Sequence, residues 1–394
     1  MNRLLHIPEG FRDIYRDENR SRRIIRKRLT DLLESFGYAG IETPGIEYFD
    51  VFGRDIGTTP SKELYKFFDR DGNTIVLRPD FTPAVARAAA TYFNDEKRPL
   101  RLFYDGNVYQ NNKSYQGRLR ESSQIGAELI GISSLDADAE ILTMIVRMFE
   151  ASGLQDFQIS VSHSHIFEAL LTEAGFDEDE EGVVRDLIEN KNFFGLEEYL
   201  GQKGISTELE ELFSLLGPAY EPMENWEHLL KKTEKFPEIH ADLHYLQELY
   251  KLLKVYGVEN HIAFDLGQIS TVTYYTGIIF TVYTFGTGEP LVRGGRYDKL
   301  LSNFGADAAS IGFAFTLDQL MMSLERQKIP VIDDLKHYVL LYRPEDRASA
   351  IAKATELRKS KASVEMIVSS DPGATLELLK NEYSNTEFIL WRVE

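Results

Sequence analysis

Histidines at regular spacing are the first residues in this sequence that could do chemistry. His240 and His244 lie four apart in His240-Ala241-Asp242-Leu243-His244, which puts two imidazoles on one helix face and makes a possible metal pair. The glutamate of the zinc-protease pattern is absent and no third ligand stands out, so the pair reads as part of a surface helix. His163 and His165 alternate on an expected strand, face the same side, and read as partly buried polar residues. Gly286-Thr287-Gly288 has phosphate-loop composition, but no helix start follows it, and a hairpin turn is the simpler reading. Cysteine is absent, which excludes disulfides, thiolate zinc sites and cysteine nucleophiles, and fits a cytoplasmic protein. No metal and no cofactor is expected.

The elements that must position any site follow from hydrophobic periodicity. Ile25, Leu29, Leu32, Leu33 and Phe36 recur at helical spacing, with Gly37 as the stop. Short β-rich pieces over 75–77, 101–109 and 122–130 then read as strands of a mainly antiparallel sheet. A second helix is expected over 136–152, opened by Ser133 or Ser134 and closed by Gly153, with Ile141, Ile145 and Met148 as its stripe. From 165 to 256 the pattern is helical and more polar, and includes the acidic run Asp177-Glu178-Asp179-Glu180-Glu181, read as a solvated loop or helix face. Strands return over 263–265 and 274–285, and a buried helix is expected over 315–324. After Pro330, apolar strands over 338–342, 364–368 and 388–391 alternate with helical segments as a small βαβαβ unit. The organisation is therefore an α+β core over 1–164 and 257–329, a helical insertion over 165–256, and a C-terminal α/β domain over 330–394.

Composition narrows the function. With 43% hydrophobic residues in a chain of 394, a sizeable core is available. No apolar run approaches the ~20 residues of a membrane span, and the first residues turn polar too early for a secretory signal. The formal charge of −19 argues against a protein that grips a long stretch of nucleic acid, because phosphate neutralisation dominates that affinity. The C-terminal unit balances its acidic and basic residues and adds no basic surface.

Four separated segments, in order, resemble histidyl-tRNA synthetase, a class II aminoacyl-tRNA synthetase. Pro8-Glu9-Gly10-Phe11-Arg12-Asp13 is similar to the family's N-terminal signature, and Phe36-Gly37-Tyr38 with Ile41-Glu42-Thr43-Pro44 and Glu47 to motif 1, which builds the dimer interface. Gly117-Arg118-Leu119-Arg120-Glu121 with Gln124-Ile125-Gly126-Ala127-Glu128-Leu129-Ile130-Gly131 resembles the second half of motif 2. Tyr274-Tyr275-Thr276-Gly277, Gly294-Gly295-Arg296-Tyr297-Asp298 and Gly312-Phe313-Ala314 resemble the histidine-specific motifs and motif 3. The resemblance implies a class II sheet core flanked by helices.

The departures fall on cations. Where the synthetases carry the motif 2 arginine that grips the ATP α-phosphate, this chain has Gln110, with Asn112 for the following glutamate. Ser270 stands for the arginine of the histidine-specific motif, and Gln319 for the phosphate-binding arginine of motif 3. Amino-acid activation moves negative charge on a phosphate, which fixed cations must stabilise. Each charge-assisted contact is worth roughly 1.5–3 kcal/mol, and a neutral amide or hydroxyl lacks the guanidinium fork. Catalysis is expected to be lost, with no catalytic residue in this chain.

The resemblance implies a better-preserved amino-acid pocket. Asp80 and Thr82 match the residues that hold the ligand's α-amino group, Glu128 and Tyr275 those that read the two imidazole nitrogens, and Gln124 one that borders the ligand backbone. Tyr274 joins the set, and Arg118 is the candidate for meeting the ligand carboxylate in place of Ser270. A carboxylate accepting from an imidazole N–H and a phenol serving the second nitrogen suit histidine. A synthetase body without its catalytic cations resembles the family of regulatory subunits of ATP phosphoribosyltransferase. That resemblance implies a short-form catalytic subunit as partner, L-histidine as inhibitory effector of the first step of histidine biosynthesis, and a homodimer within a cytoplasmic hetero-octamer, with no nucleic-acid or membrane partner. The alternatives are a histidyl-tRNA synthetase of unusual sequence, or a synthetase-like paralogue sensing another amino acid.

Overall fold

The structure is a computed structural model and describes residues 3–53, 59–112, 119–217, 226–269, 274–333, 335–383 and 386–392. It divides into two compact units, Met1–Pro330 and Val331–Glu394. The first begins with α1 (Arg16–Ser35), β1 (Ala39–Gly40), β2 (Ile46–Tyr48), β3 (Lys66–Phe68), β4 (Thr74–Leu77) and α2 (Thr82–Tyr92). The long hairpin β5 (Leu100–Tyr109) and β6 (Glu121–Ile130) follows, then α3 (Leu135–Ser152) and β7 (Phe157–His163). Six helices come next: α4 (Ser164–Ala174), α5 (Glu178–Glu189), α6 (Phe193–Lys203), α7 (Thr207–Ser214), α8 (Trp226–Thr233) and α9 (Pro237–Tyr256). The chain returns through β8 (Ile262–Phe264), β9 (Ile278–Thr284), β10 (Val292–Arg296), β11 (Ser310–Thr316) and α10 (Leu317–Arg326).

Eight of these strands form one sheet in the order β1-β5-β6-β11-β10-β9-β7-β8, antiparallel except for the outer pairs β1–β5 and β7–β8. A smaller sheet, β2-β4-β3, lies in the same unit. The faces of the large sheet differ in chemistry. Ile125, Ala127, Leu129, Ile311, Phe313 and Phe315 alternate onto one face and are buried. Phe315 on that face meets Phe149 of α3 with ring centroids 4.8 Å apart. The other face carries Gln124, Gly126 and Glu128 on β6, opposite Thr316, Ala314 and Gly312 on β11. Large side chains seal one face against helices, and small or polar ones leave the other free to build a site.

Local signals explain the helix boundaries. Ser134 caps α3, its hydroxyl accepting from the Ala137 N–H, and Gly153 ends it at φ +90°. The acidic run 177–181 is the start of α5: Asp177 and Glu180 form a reciprocal capping box, and the carboxylates face the positive end of the helix. Two expected boundaries are corrected. The strand expected over 274–285 begins only at Ile278, because Thr276 N–H donates to the Arg296 carbonyl (2.8 Å) and folds the preceding segment into a loop. The helix expected over 315–324 begins at Leu317, since Phe315 belongs to β11, which is paired on both edges.

The second unit holds β12 (His337–Tyr342), α11 (Arg347–Lys359), β13 (Ser363–Val368), α12 (Pro372–Leu379) and β14 (Thr386–Leu390). Its strands are parallel in the order β13-β12-β14, around buried Leu340, Tyr342, Ala350, Ala354 and Val364. Among the described residues, no helix is long and apolar enough to cross a membrane.

Gly312 tests the sheet. A Cβ there would fall 1.6 Å from Glu128 Oε2 and 2.7 Å from the Ala127 carbonyl oxygen. Gly312→Ala should lower stability by about 1–3 kcal/mol or more through overpacking. Gly288→Ala, with nothing within 4 Å of its Cβ position, should be near neutral. Urea midpoints of the two variants make the comparison.

Candidate functional site

One row of side chains crosses the sheet at the site: Leu102, Glu128, Gly312 and Gly295 are paired in register on β5, β6, β11 and β10. Missing side chains at the two glycines leave room above the backbone. The Glu128 carboxyl lies over Gly312, and the ring of Tyr275 lies over Gly295, where a Cβ would fall 2.7 Å from its Cε1. Gly126, one pair further along, makes the same room for Tyr104, whose hydroxyl donates to the Phe313 carbonyl at 3.3 Å. Here the glycines are needed for close approach rather than for turns.

Glu128 has no solvent exposure. Thr82 donates its hydroxyl to Oε1 at 2.7 Å, and Tyr297 donates its hydroxyl to Oε2. Burial is the larger influence and pushes the carboxyl up to about 8, against the opposing pull of the Tyr297 and Thr82 donors; nearby Asp80 adds to the rise. The surrounding phenols Tyr104, Tyr274, Tyr275 and Tyr297 are all held above the ordinary tyrosine value, first by burial and then by neighbouring acids and phenols. They therefore stay protonated and can donate. Asp80 sits at the start of α2, its Oδ1 accepting from Phe81 N–H at 2.7 Å, and its charge is felt by Glu128, Tyr274 and Tyr275.

Of the residues singled out from sequence, Asp80, Thr82, Glu128, Tyr274 and Tyr275 come together. Tyr274 meets Tyr275 and Tyr297 edge-on, with centroids 5.1 and 5.8 Å apart. Gln124 is on the same strand and face as Glu128, and its Oε1 is buried with no hydrogen-bond partner among the described residues. Arg118 and Ser270 lie outside the described residues. Tyr297 was missed as a site residue, although it stands in the quoted segment Gly294-Gly295-Arg296-Tyr297-Asp298; its contact with Glu128 depends on how β10 continues past its end.

The same segment anchors the site from below. Arg296 is buried and donates through Nε to Asp138 Oδ1 (3.0 Å) and through a terminal nitrogen to Asp298 Oδ1 (3.1 Å). Asp298 N–H in turn donates to Thr276 Oγ1 at 2.9 Å, which fixes the Tyr274–Gly277 loop over the sheet.

The positions expected to lack cations do so in a definite way. Gln110 donates to the Pro79 carbonyl (3.4 Å) and accepts from Asn112 (3.3 Å). Next to Gln319, Asp318 takes up Arg22 at 2.6 Å and Ser123 N–H at 2.7 Å. Arg78 lies 4.0 Å over Phe81 and donates to the Thr43 and Asn107 carbonyls, both at 2.8 Å. The site is thus rich in acceptors and phenols, and Arg78 beside it is engaged.

The histidines differ from expectation. His163 ends β7, and His165 lies in the first turn of α4, so they do not alternate on one strand; their rings still meet, 5.3 Å apart, because the chain turns from strand into helix. Asp242 of α9 joins them, its Oδ2 3.3 Å from His163 Nδ1. A third ligand-type residue is therefore present, and it pairs with His163 rather than with His240 and His244.

The family model described as Histidyl-tRNA synthetase matches residues 10–320. The ATP phosphoribosyltransferase regulatory subunit of Acetivibrio thermocellus is 33% identical over 380 residues, covering 96% of this chain and 89% of that protein. A crystal structure from Bacillus halodurans, described as an ATP phosphoribosyltransferase regulatory subunit/histidyl-tRNA synthetase, superposes with a TM-score of 0.83 at 28% identity, over 99% of both chains. The histidyl-tRNA synthetase of Nostoc sp. superposes at 0.81 with 19% identity, covering 96% of this chain and 89% of that one, which speaks for the fold alone.

The raised Glu128 carboxyl makes stability depend on pH. In the native state it keeps a proton that the unfolded chain, near its ordinary 4.5, has released. Its contribution is therefore complete below about pH 4.5 and is lost as pH rises through about 8. Denaturant melts of the ligand-free chain should weaken over this window, by up to about 1.4 kcal/mol per pH unit from this group. Glu128→Gln should flatten the slope; an unchanged slope would mean the carboxyl is already ionised when folded.

Proposed function

The chain belongs to the histidyl-tRNA synthetase-like family of ATP phosphoribosyltransferase regulatory subunits, and from that premise we propose that it is a non-catalytic subunit that binds L-histidine. It serves a short-form catalytic subunit in the first step of histidine biosynthesis, which needs it for activity, and it passes feedback inhibition by histidine to that partner. The assembly is a cytoplasmic hetero-octamer in which this chain forms homodimers.

One contrast carries the reading: the Asp80, Gln124, Glu128 and Tyr275 acceptor–phenol set is present, while Gln110 and Gln319 are neutral, and Gln110 is turned to the Pro79 carbonyl and Asn112. Two carboxyl groups and an unpaired amide oxygen suit a ligand that brings N–H donors and positive charge. An α-ammonium group and an imidazole supply both, and Tyr275 can serve the second ring nitrogen. A phosphate would find Arg78, which lies over Phe81, already held by the Thr43 and Asn107 carbonyls.

The segment of motif 1 supports the dimer. Ile46, Tyr48 and Tyr92 line one groove with Pro44 and Phe93, and Ile46, Tyr48 and Tyr92 are exposed by 49, 58 and 73%. Exposed apolar surface of this kind calls for a partner, and Tyr48→Asp should shift the sedimentation of the purified chain towards a monomer.

The reading is tested by calorimetry and reconstitution. L-Histidine should bind, and Glu128→Ala should weaken it about 10- to 150-fold, the equivalent of a charge-assisted hydrogen bond. The chain should support no histidine-dependent pyrophosphate exchange. Mixed with a short-form catalytic subunit, it should co-elute, raise phosphoribosyl transfer to ATP, and make that activity sensitive to histidine. Synthetase-type exchange would return the enzyme reading to first place; failure to co-elute would leave a paralogue that senses something else.

A further inference from the structure

A second site lies on the helix-covered side of the large sheet. His163 at the end of β7, His165 in the first turn of α4 and Asp242 in α9 bring one donor atom each to within 4.8 Å of one another. His163 Nδ1 and Asp242 Oδ2 are 3.3 Å apart, an ion-pair distance, both closed off from water, and among the described residues neither makes a hydrogen bond. Buried polar atoms without partners are rare enough to need a cause. A tetrahedral zinc ion with bonds of about 2.0–2.1 Å sets its ligand atoms about 3.3 Å apart, and that is the spacing this pair already holds.

We propose that His163, His165 and Asp242 bind a divalent transition-metal ion, with zinc the best match to two imidazoles and one carboxylate. His165 is exposed and its side chain is free to close on the ion, while His163 and Asp242 are fixed by the sheet end and the helix. The three ligands leave one position for water. The ion joins the corner where β7 turns into α4 to α9, the longest of the helices that follow it. It lies beside buried Asp138, whose carboxylate accepts from Tyr245 at 2.6 Å and from Arg296. The neighbouring residue Ser164 donates its N–H to the Gly277 carbonyl at 2.9 Å, so the pinned corner also steadies the Tyr274–Gly277 loop on the other side. His240 is not part of the set, since its Nδ1 is turned to the Leu230 carbonyl and the Thr233 hydroxyl.

The test uses the full chain, stripped with a chelator and titrated with Zn²⁺ against a chromogenic competitor. One ion per chain should bind, with a rise in melting temperature of several degrees. His165→Ala and Asp242→Asn should each weaken binding at least about tenfold, while His244→Ala, an exposed neighbour on α9, should leave it unchanged. Co²⁺ in place of zinc should give the visible absorption of a four-coordinate site in the wild type and not in the two ligand variants. His165 is at the surface, so its variant should fold, and circular dichroism checks this. Zinc binding equally strong in His165→Ala and Asp242→Asn would overturn the proposal, as would binding abolished by His244→Ala or no stoichiometric binding in the wild type.

Discussion

A carboxyl group with no access to water, set above the middle of an eight-stranded sheet, governs the rest of the site. Burying Glu128 is tolerable only while it keeps a proton or receives donors, because an uncompensated buried charge costs several kcal/mol. The structure provides Thr82 and Tyr297 as donors and removes every obstacle in the way: Gly312 has no side chain because the carboxyl occupies its place. One donor precedes β6 in the sequence and the other follows it, and the strand order lets both reach one residue. β11 must lie beside β6, β10 beside β11, and α2 must start above the row.

Holding Tyr297 there is the work of a second buried charge. Arg296 points to the helix side, the opposite way from the pocket, as adjacent strand residues must. It is neutralised by Asp138 of α3 and by Asp298, and Asp298 also accepts from Ser310 N–H at 2.9 Å. A buried ion pair contributes little net stability but fixes one geometry, since each partner left alone would be strongly unfavourable. The arginine, the tyrosine beside it and the acid that follows thus act as one unit: charge anchored below, hydroxyl presented above, loop 274–277 tied by Thr276.

Much of this was legible in the residues. The stripe Ile25–Leu29–Leu33, the Ser134 cap and Gly153 stop, and the alternation in β5 and β6 place their elements within a residue or two, because apolar period and capping chemistry are local. β10 and β11 were harder. Val292-Arg293-Gly294-Gly295-Arg296 has poor strand composition, and its glycines exist to admit the rings of Phe280 and Tyr275. That reason is tertiary and invisible to propensity. Asp80, Thr82, Glu128, Tyr274 and Tyr275 were picked out by resemblance and do converge, whereas Tyr297 needed the strand register. Asp242 was hidden for a simpler reason: the histidines it meets, His163 and His165, sit on a strand end and a helix far away in sequence.

The balance of charge in the large unit gives the proposed reading its physical sense. Activating an amino acid requires a site that is acidic where the ammonium lies and cationic where phosphate charge moves. On the proposed reading this chain keeps the first half and lacks the second. Gln110 satisfies its amide on Pro79 and Asn112, and Arg22 has been drawn into Asp318 and Ser123 on the far side of β6. What remains favours a small cationic donor and disfavours an anion in the same cavity. On the proposed reading that asymmetry is what a sensor needs: the amino acid can enter and bias the assembly by its differential affinity for two states, and no bound nucleotide competes for the space or turns the signal into chemistry.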